Sequence, residues 1–228
     1  MSLTGATRLV GLIGDPVAHS LSPRMQNAAF AARALDWRYV PLPVRAEDLE
    51  AAVRGLAALG FAGANVTAPH KLAVAALCTT GAPSVNTLVV EEGGVLGYST
   101  DAAILEGLDF ARPVVLGSGG AAVAFGAALP GARRFARKDE WPPDVRDADL
   151  VVNATSEREQ VLVQLTPSQT LVDLPYPESA TAAAARVAGA RVISGLEVLV
   201  GQGAASFERW TGVPAPVEVM RAAVGLPS

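Results

Sequence analysis

Residues 113–131, PVVLGSGGAAVAFGAALPG, carry no charge, and they constrain the fold of this chain more than any other segment. The stretch is nearly long enough to span a bilayer. Its apolar residues, however, are mostly alanine and valine, and Gly117-Ser118-Gly119-Gly120 interrupts them. A buried strand, a tight turn and a buried helix account for that pattern better than a membrane span.

The same alternation runs along the rest of the chain. Short apolar runs at 9–13, 37–44 and 61–66 read as strands. Between them, a helix opens at Ser22-Pro23, with Ser22 as N-cap and proline at the first helical position, and a second covers 47–59 and stops at Gly60. Pro69 marks the start of a further helix. From Pro113 the series restarts, with strands at 114–116, 133–136, 149–153, 170–173 and 191–193. Helices run from the glycine turn to Leu129, through the alanines at 182–185, over 197–211 and over 216–224. Strand and helix in turn predict an α/β fold built on parallel or mixed sheets. The best boundary between two such series lies at 101–112.

Composition narrows the function classes. Half of the 228 residues are hydrophobic, which excludes a disordered chain, and the formal net charge of −4 gives no basic footprint for a nucleic-acid partner. Two histidines and one cysteine are too few for a zinc cluster built from those ligands, and the single Cys78 fits a reducing, cytoplasmic setting. The N-terminus lacks a secretory pattern, because its apolar run ends in Asp15 and Pro16. With only 5% aromatic residues, the core is expected to be packed by alanine, valine and leucine.

Gly117 to Ala122 fits G-x-G-x-x-A between a strand and a helix. The first glycine, Gly117, makes the turn, and the second, Gly119, allows backbone to approach a pyrophosphate. Ala122 then permits close helix–strand packing, and the helix N-terminus faces the anion. About 20 residues further on, where an acid would hold the ribose of NAD, stand Arg137 and Lys138. An arginine there pairs with a 2′-phosphate, which favours NADP over NAD, although Asp139 and Glu140 keep NAD open. A structural glycine turn followed by a solvated basic pair is the alternative.

Four polar groups stand at the ends of the first-half strands: Ser20 and Ser22; Asn65, Thr67 and Lys71; Asn86 and Thr87; Thr100 and Asp101. Ligands of open α/β sheets bind outside the carboxyl ends of the strands, so these groups suit a polyhydroxylated small molecule. Lys71 and Asp101 are the candidates for proton chemistry. Each also has a structural reading: a cap for Ser22, a turn for Asn65, a surface helical position for Lys71.

The blocks SLSPRMQN (20–27), NVTAPHK (65–71), SVNT (84–87), GYSTD (97–101), NATS (153–156) and SGLEVLVGQGAASFERWTG (194–212) resemble, in order, the signatures of the shikimate dehydrogenase family. The resemblance implies an NADP-dependent enzyme that reduces 3-dehydroshikimate to shikimate on the route to aromatic amino acids. It implies a substrate domain at 1–101 and 196–228, with the C-terminal helices returning to it, and a Rossmann domain at 102–195. It makes Lys71 and Asp101 the catalytic pair. Ser20, Ser22, Asn65, Thr67, Asn86, Tyr176 and Gln202 become substrate ligands. Gly117, Gly119, Gly120, Ala121, Arg137, Thr155, Leu174 and Gly195 become cofactor contacts, with Gly195 near the nicotinamide. No metal, nucleic acid or membrane is implied, and the protein is expected as a monomer or homodimer.

The chain departs from that family's pattern at named places. Gln26 stands for the usual His, Ser99 for Asn, Ala102 for Gly, Ala136-Arg137-Lys138 for Asn-Arg-Thr, and Arg158-Glu159 for Gly-Met. Three segments are short, 71–86, 101–117 and, most severely, 137–153, which leaves space for little helix. Two alternatives follow: a dehydrogenase of the same family acting on quinate or an aminated analogue, against which Ser20 and Ser22 together argue, or a non-catalytic sensor of a shikimate-like metabolite.

Overall fold

In the computed structural model, which describes residues 3–139 and 141–227, the chain forms two units, Met1–Asp101 with Leu199–Ser228, and Ala102–Val198. The first unit holds strands β1 (Arg8–Gly14), β2 (Trp37–Pro43), β3 (Phe61–Val66), β4 (Thr87–Glu91) and β5 (Gly94–Tyr98), with helices α1 (Ser22–Ala32), α2 (Leu49–Ala58) and α3 (Lys71–Val74). The second holds β6 (Pro113–Leu116), α4 (Gly120–Ala128), β7 (Arg133–Phe135), β8 (Leu150–Asn153), β9 (Thr170–Asp173), α5 (Ala180–Val187) and β10 (Arg191–Ile193). Helix α6 (Gly195–Thr211) starts in the second unit and continues into the first, where α7 (Val217–Ala223) ends the chain's regular structure.

The first sheet has the order β2-β1-β3-β4-β5. β1 pairs in parallel with β2 and β3, while β4 and β5 add an antiparallel hairpin. On one face, Leu49, Val53 and Leu56 recur at helical spacing along α2 and join Ile13, Val66 and Leu88 in an aliphatic core. Elsewhere in this unit the rings gather. Phe30 stacks on Phe207 with centroids 5.3 Å apart and meets Trp37 at 5.6 Å, and the buried Trp210 donates Nε1–H to Leu88 O at 2.9 Å. Phe30, Trp37 and Phe207 thus form one aromatic cluster in this unit, while the second unit's cores are mostly Ala, Val and Leu with Phe125 buried among them.

The second sheet, β10-β9-β8-β6-β7, is parallel throughout. Its strands are apolar on both sides, as parallel strands covered on both faces must be. Val115, Leu150, Val152 and Val172 meet α4 through Ala122 and Phe125 on one face. Val114, Leu116, Val151 and Leu171 meet α5 through Ala182 and Ala185 on the other. The uncharged stretch 113–131 is therefore strand, turn and helix, and among the described residues no helix is long and apolar enough to cross a membrane.

Three local expectations change. Ser22 is the first helical residue rather than the cap. The N-cap is Leu21, and the Ser22 N–H is satisfied by Ser20 Oγ at 3.2 Å. The helix expected from Pro69 is short, Lys71–Val74. The hairpin β4–β5 has no counterpart among the expected elements, although apolar residues at 88–90 and 95–96 flank its turn at Glu92-Gly93.

Candidate active site

In the first unit, the loops after β1, β3 and β5 and the segment before β4 converge at one end of the sheet. Asp15 N–H donates to Ala68 O at 3.3 Å, Val66 N–H to Asn86 O at 2.8 Å, Asn86 N–H to Tyr98 O at 3.1 Å, and Val85 N–H to Lys71 O at 3.0 Å. β1 lies between β2 and β3, so the chain leaves it in one direction and returns on the other side, which opens a crevice at its carboxyl end. Ser20, Ser22, Thr67 and Lys71 all follow the carboxyl ends of β1 and β3.

Lys71 Nζ lies 2.7 and 2.8 Å from the two carboxylate oxygens of Asp101. The side chains are 15% and 9% exposed, so the pair is nearly closed off yet still reachable. Asn86 Nδ2 holds Asp101 from another side, donating to Oδ1 at 3.0 Å, and it also reaches Thr100 Oγ1 at 2.9 Å and Gln202 Oε1 at 3.3 Å. Asn86 Oδ1 accepts the Thr100 N–H at 2.7 Å. A carboxylate clamped by an amide and an ammonium is held in place and fixes Nζ in turn, an arrangement capable of proton transfer.

Behind the pair lies a buried polar network. Asn65 Nδ2 donates to Asn86 O at 3.0 Å, Thr87 Oγ1 at 3.1 Å and Ser206 Oγ at 2.9 Å, and Asn65 Oδ1 accepts from Tyr39 OH at 2.9 Å. Ser206 Oγ, fully buried, also meets Thr87 Oγ1 at 2.8 Å and Thr100 Oγ1 at 3.2 Å, and donates to Gln202 O at 2.9 Å. Gln202 Nε2 donates to Leu199 O at 2.9 Å. Asn65, Asn86 and Gln202 are thereby brought together and tied to protein partners. Sequence reasoning placed Thr87 and Thr100 among the polar groups at the strand ends but gave no role to Tyr39 or Ser206. Ser206 alone carried a usable signal, lying four residues beyond Gln202 on the same helix face.

In the second unit, β6 lies between β7 and β8, again a point where successive connections leave in opposite directions. Gly117 follows β6 with φ +128°, a conformation that side chains rarely adopt, and a Cβ there would come within 2.9 Å of Ala154 O. Its N–H donates to Phe135 O at 2.8 Å, so the glycine turn abuts the loops that follow β7 and β8. Above Gly119 there is open space, and α4 starts at Gly120 without a side-chain cap. Free N–H groups, a positive dipole end and no obstructing side chain fit the pyrophosphate of a dinucleotide.

Arg137 and Thr155 line one polar cleft of about 530 Å³ with Ser156, Glu157, Arg158 and Glu159. Asp139 accepts the Ala136 N–H at 2.7 Å, and Glu140 lies outside the described residues. Tyr176 belongs to this second unit, following β9. Leu174 and Gly195 are adjacent, since a Cβ at 195 would be driven into the carbonyl oxygens of Leu174 and Pro175. That close approach by itself requires glycine. Ser194 and Glu197 form a capping box around it: Ser194 N–H donates to Glu197 Oε2 at 2.7 Å, and Glu197 N–H donates to Ser194 Oγ at 3.4 Å. Among the described residues, no group of histidines, cysteines and acids could hold a metal ion.

Residues 12–88 match the model of the shikimate dehydrogenase substrate binding domain, and residues 195–224 that of the shikimate 5′-dehydrogenase C-terminal domain. A shikimate dehydrogenase (NADP(+)) of Anaeromyxobacter sp. (strain Fw109-5) is 41% identical, with 99% of this chain and 98% of that protein aligned. That alignment spans 274 positions against 228 residues here, so the relative carries segments that this chain lacks. The crystal structure of shikimate dehydrogenase from Aquifex aeolicus is similar at 30% identity and a TM-score of 0.88, covering 98% of this chain and all of that one. Another from Thermus thermophilus, in complex with NADP(H) and shikimate, is similar at 27% identity and a TM-score of 0.81, covering 95% of this chain and 98% of that one. With near-complete coverage, 41% identity and a TM-score of 0.88, the chain belongs to the shikimate dehydrogenase family.

Proposed function

We propose that the chain interconverts 3-dehydroshikimate and shikimate with NADP as the hydride carrier, the substrate held by 1–101 with 196–228 and the cofactor by 102–195. The observation that carries this reading is the Lys71–Asp101 pair, bonded through both carboxylate oxygens at the carboxyl end of a sheet ringed with hydroxyls and amides. NADP, when bound, gives or takes the hydride at the ring carbon that bears the reacting oxygen. As that oxygen gains negative charge during reduction, the Lys71 ammonium donates a proton to it. In the reverse direction the same nitrogen, having lost its proton, takes the hydroxyl proton back. Asp101 keeps Nζ aimed, and Asn86 keeps Asp101 in place.

Ser20, Ser22, Asn65, Thr67, Asn86, Tyr176 and Gln202 hold the hydroxyls and carboxylate of the substrate in this reading. On the cofactor side, Gly117, Gly119, Gly120 and Ala121 receive the pyrophosphate, Arg137 the 2′-phosphate, and Thr155, Leu174 and Gly195 the remainder. The open space over Gly119 and the uncapped start of α4 support that assignment. The NADP-dependent naming of the relatives supports the cofactor.

The test is shikimate-dependent reduction of NADP+, run beside NAD+, with quinate as the parallel substrate. Turnover is expected with shikimate and NADP+. Shikimate binding without turnover on either cofactor overturns the enzyme reading in favour of a metabolite sensor, and faster turnover on quinate overturns the substrate.

A further inference from the structure

The cleft of the second unit contains an acid that no role described so far uses. Arg137 NH2 is bonded to Glu157 Oε2 at 2.8 Å. Of the two, the arginine is the more exposed partner, its side chain 63% exposed against 18% for Glu157. Glu157 is pinned from its own loop. Its Oε1 accepts the N–H groups of Glu159 at 2.9 Å and Gln160 at 3.3 Å, and its own N–H donates to Thr155 Oγ1 at 3.2 Å. Those N–H groups, the Glu159 one foremost, and the Arg137 guanidinium hold its carboxyl below the usual carboxylate range, so it is an anion at neutral pH.

The consequence is electrostatic. Arg137, Arg158, Glu157 and Glu159 line the same cleft, so the four formal charges cancel. A 2′-phosphate carries close to two negative charges and must take the guanidinium from a fixed carboxylate while lying beside it. A ribose 2′-hydroxyl meets no such opposition, because it can donate to a carboxylate.

We propose that Glu157 is a cofactor-specificity residue that restrains the preference for NADP by holding Arg137 and opposing the 2′-phosphate, which leaves NAD as a usable second cofactor. The proposal rests on the reading of the second unit as the dinucleotide-binding one.

The experiment is titration calorimetry of the full chain with 2′,5′-ADP and with 5′-AMP, comparing the native protein with Glu157→Gln. The glutamine keeps an oxygen for the Glu159 and Gln160 N–H groups. Glu157→Gln is expected to tighten 2′,5′-ADP about tenfold while 5′-AMP changes less than about threefold, and the gain is expected to shrink in 1 M salt. Glu157→Ser, which retains a shorter acceptor, is the second variant and is expected to shift the ratio the same way. Equal changes for both probes, or an unchanged ratio, overturn the role of Glu157 and leave the cofactor reading standing. No binding of either probe to any folded variant overturns both.

Discussion

Replacing Lys71 by methionine separates the structural work of the Lys71–Asp101 pair from its chemical work. Methionine keeps most of the aliphatic stem and removes the ammonium, leaving the Asp101 carboxylate with Asn86 Nδ2 at 3.0 Å as a remaining side-chain donor. Stripping one partner from a buried ion pair costs about 3–5 kcal/mol. Here both groups retain some contact with water, 15% and 9% of their side-chain surface, so the expected loss is nearer about 2–3 kcal/mol. The chemical loss is separate: removing a positioned general acid lowers kcat by about 10²–10⁴-fold. Shikimate affinity should weaken by less than about tenfold, the worth of roughly one hydrogen bond. Pairing the change with Asp101→Asn decides between the two effects. The double variant leaves no orphaned charge, so it should recover most of the lost stability in urea denaturation and none of the lost rate. Steady-state kinetics gives kcat, and calorimetry gives the shikimate Kd. A Lys71→Met protein whose kcat falls less than about tenfold, or only in step with its shikimate affinity, refutes the proton-transfer role.

Other perturbations probe separate parts of the molecule. Arg137→Ala should weaken NADP binding at least about tenfold and NAD binding less than about threefold, by direct titration; equal losses remove the 2′-phosphate contact. Ser206→Ala deletes a fully buried hydroxyl that joins Asn65, Thr87, Thr100 and the Gln202 carbonyl. It should cost about 1–3 kcal/mol in urea denaturation. Gly195→Ala forces a methyl group against two backbone carbonyls and should cost about 1–3 kcal/mol, a loss visible without any cofactor present. Gln169→Leu should cost about 2–4 kcal/mol by the same measurement, since it strands the Val145 and Ala148 carbonyls and the Thr166 N–H.

The sheet strands other than β4 and β5, and the glycine turn, were legible because each rests on a local pattern: apolar runs closed by turn residues, or a G-x-G-x-x-A block between strand and helix. Lys71 and Asp101 were legible as chemistry-bearing types at strand ends, but their pairing was not, since 30 residues of chain separate them and only the antiparallel hairpin β4–β5 brings Asp101 back. That hairpin lies mostly between the motif blocks, in residues 88–96, to which the sequence reading assigned no element. Tyr39 was invisible for another reason, because a hydroxyl buried in a network leaves no trace in the sequence, whereas Ser206 could have been found from its i+4 spacing to Gln202 on one helix face. The Glu157–Arg137 pair likewise depends on a loop turning back 20 residues after the arginine, which no spacing rule announces.

The shortened segments of the second unit raise the question of what replaces the missing cover on its sheet. Among the described residues, no α-helix lies between β7 and β8 or between β8 and β9. A parallel sheet cannot leave a face bare, because its strands are apolar on both sides. The face opposite α4 is covered by extended chain instead, with Val145, Ala148, Leu162, Val163 and Leu165 packed on Val114, Leu116, Val151 and Leu171 beside α5. Irregular chain at such a position carries backbone groups that a helix would have paired internally. Buried side chains pair them here. Gln169, 3% exposed, donates from Nε2 to Val145 O at 2.7 Å and Ala148 O at 2.9 Å and accepts the Thr166 N–H at 2.8 Å. Thr181 Oγ1 accepts the Leu162 N–H at 3.0 Å and donates to Gln160 O at 3.3 Å. The reduced unit therefore trades helical turns for two polar side chains on or beside β9 and α5. The loop that carries Thr155, Glu157 and Arg158 is anchored at its far end, residues 160–162, by Thr181. Trimming the connections and shaping the polar cleft at Arg137 and Glu157 are in this way one structural change.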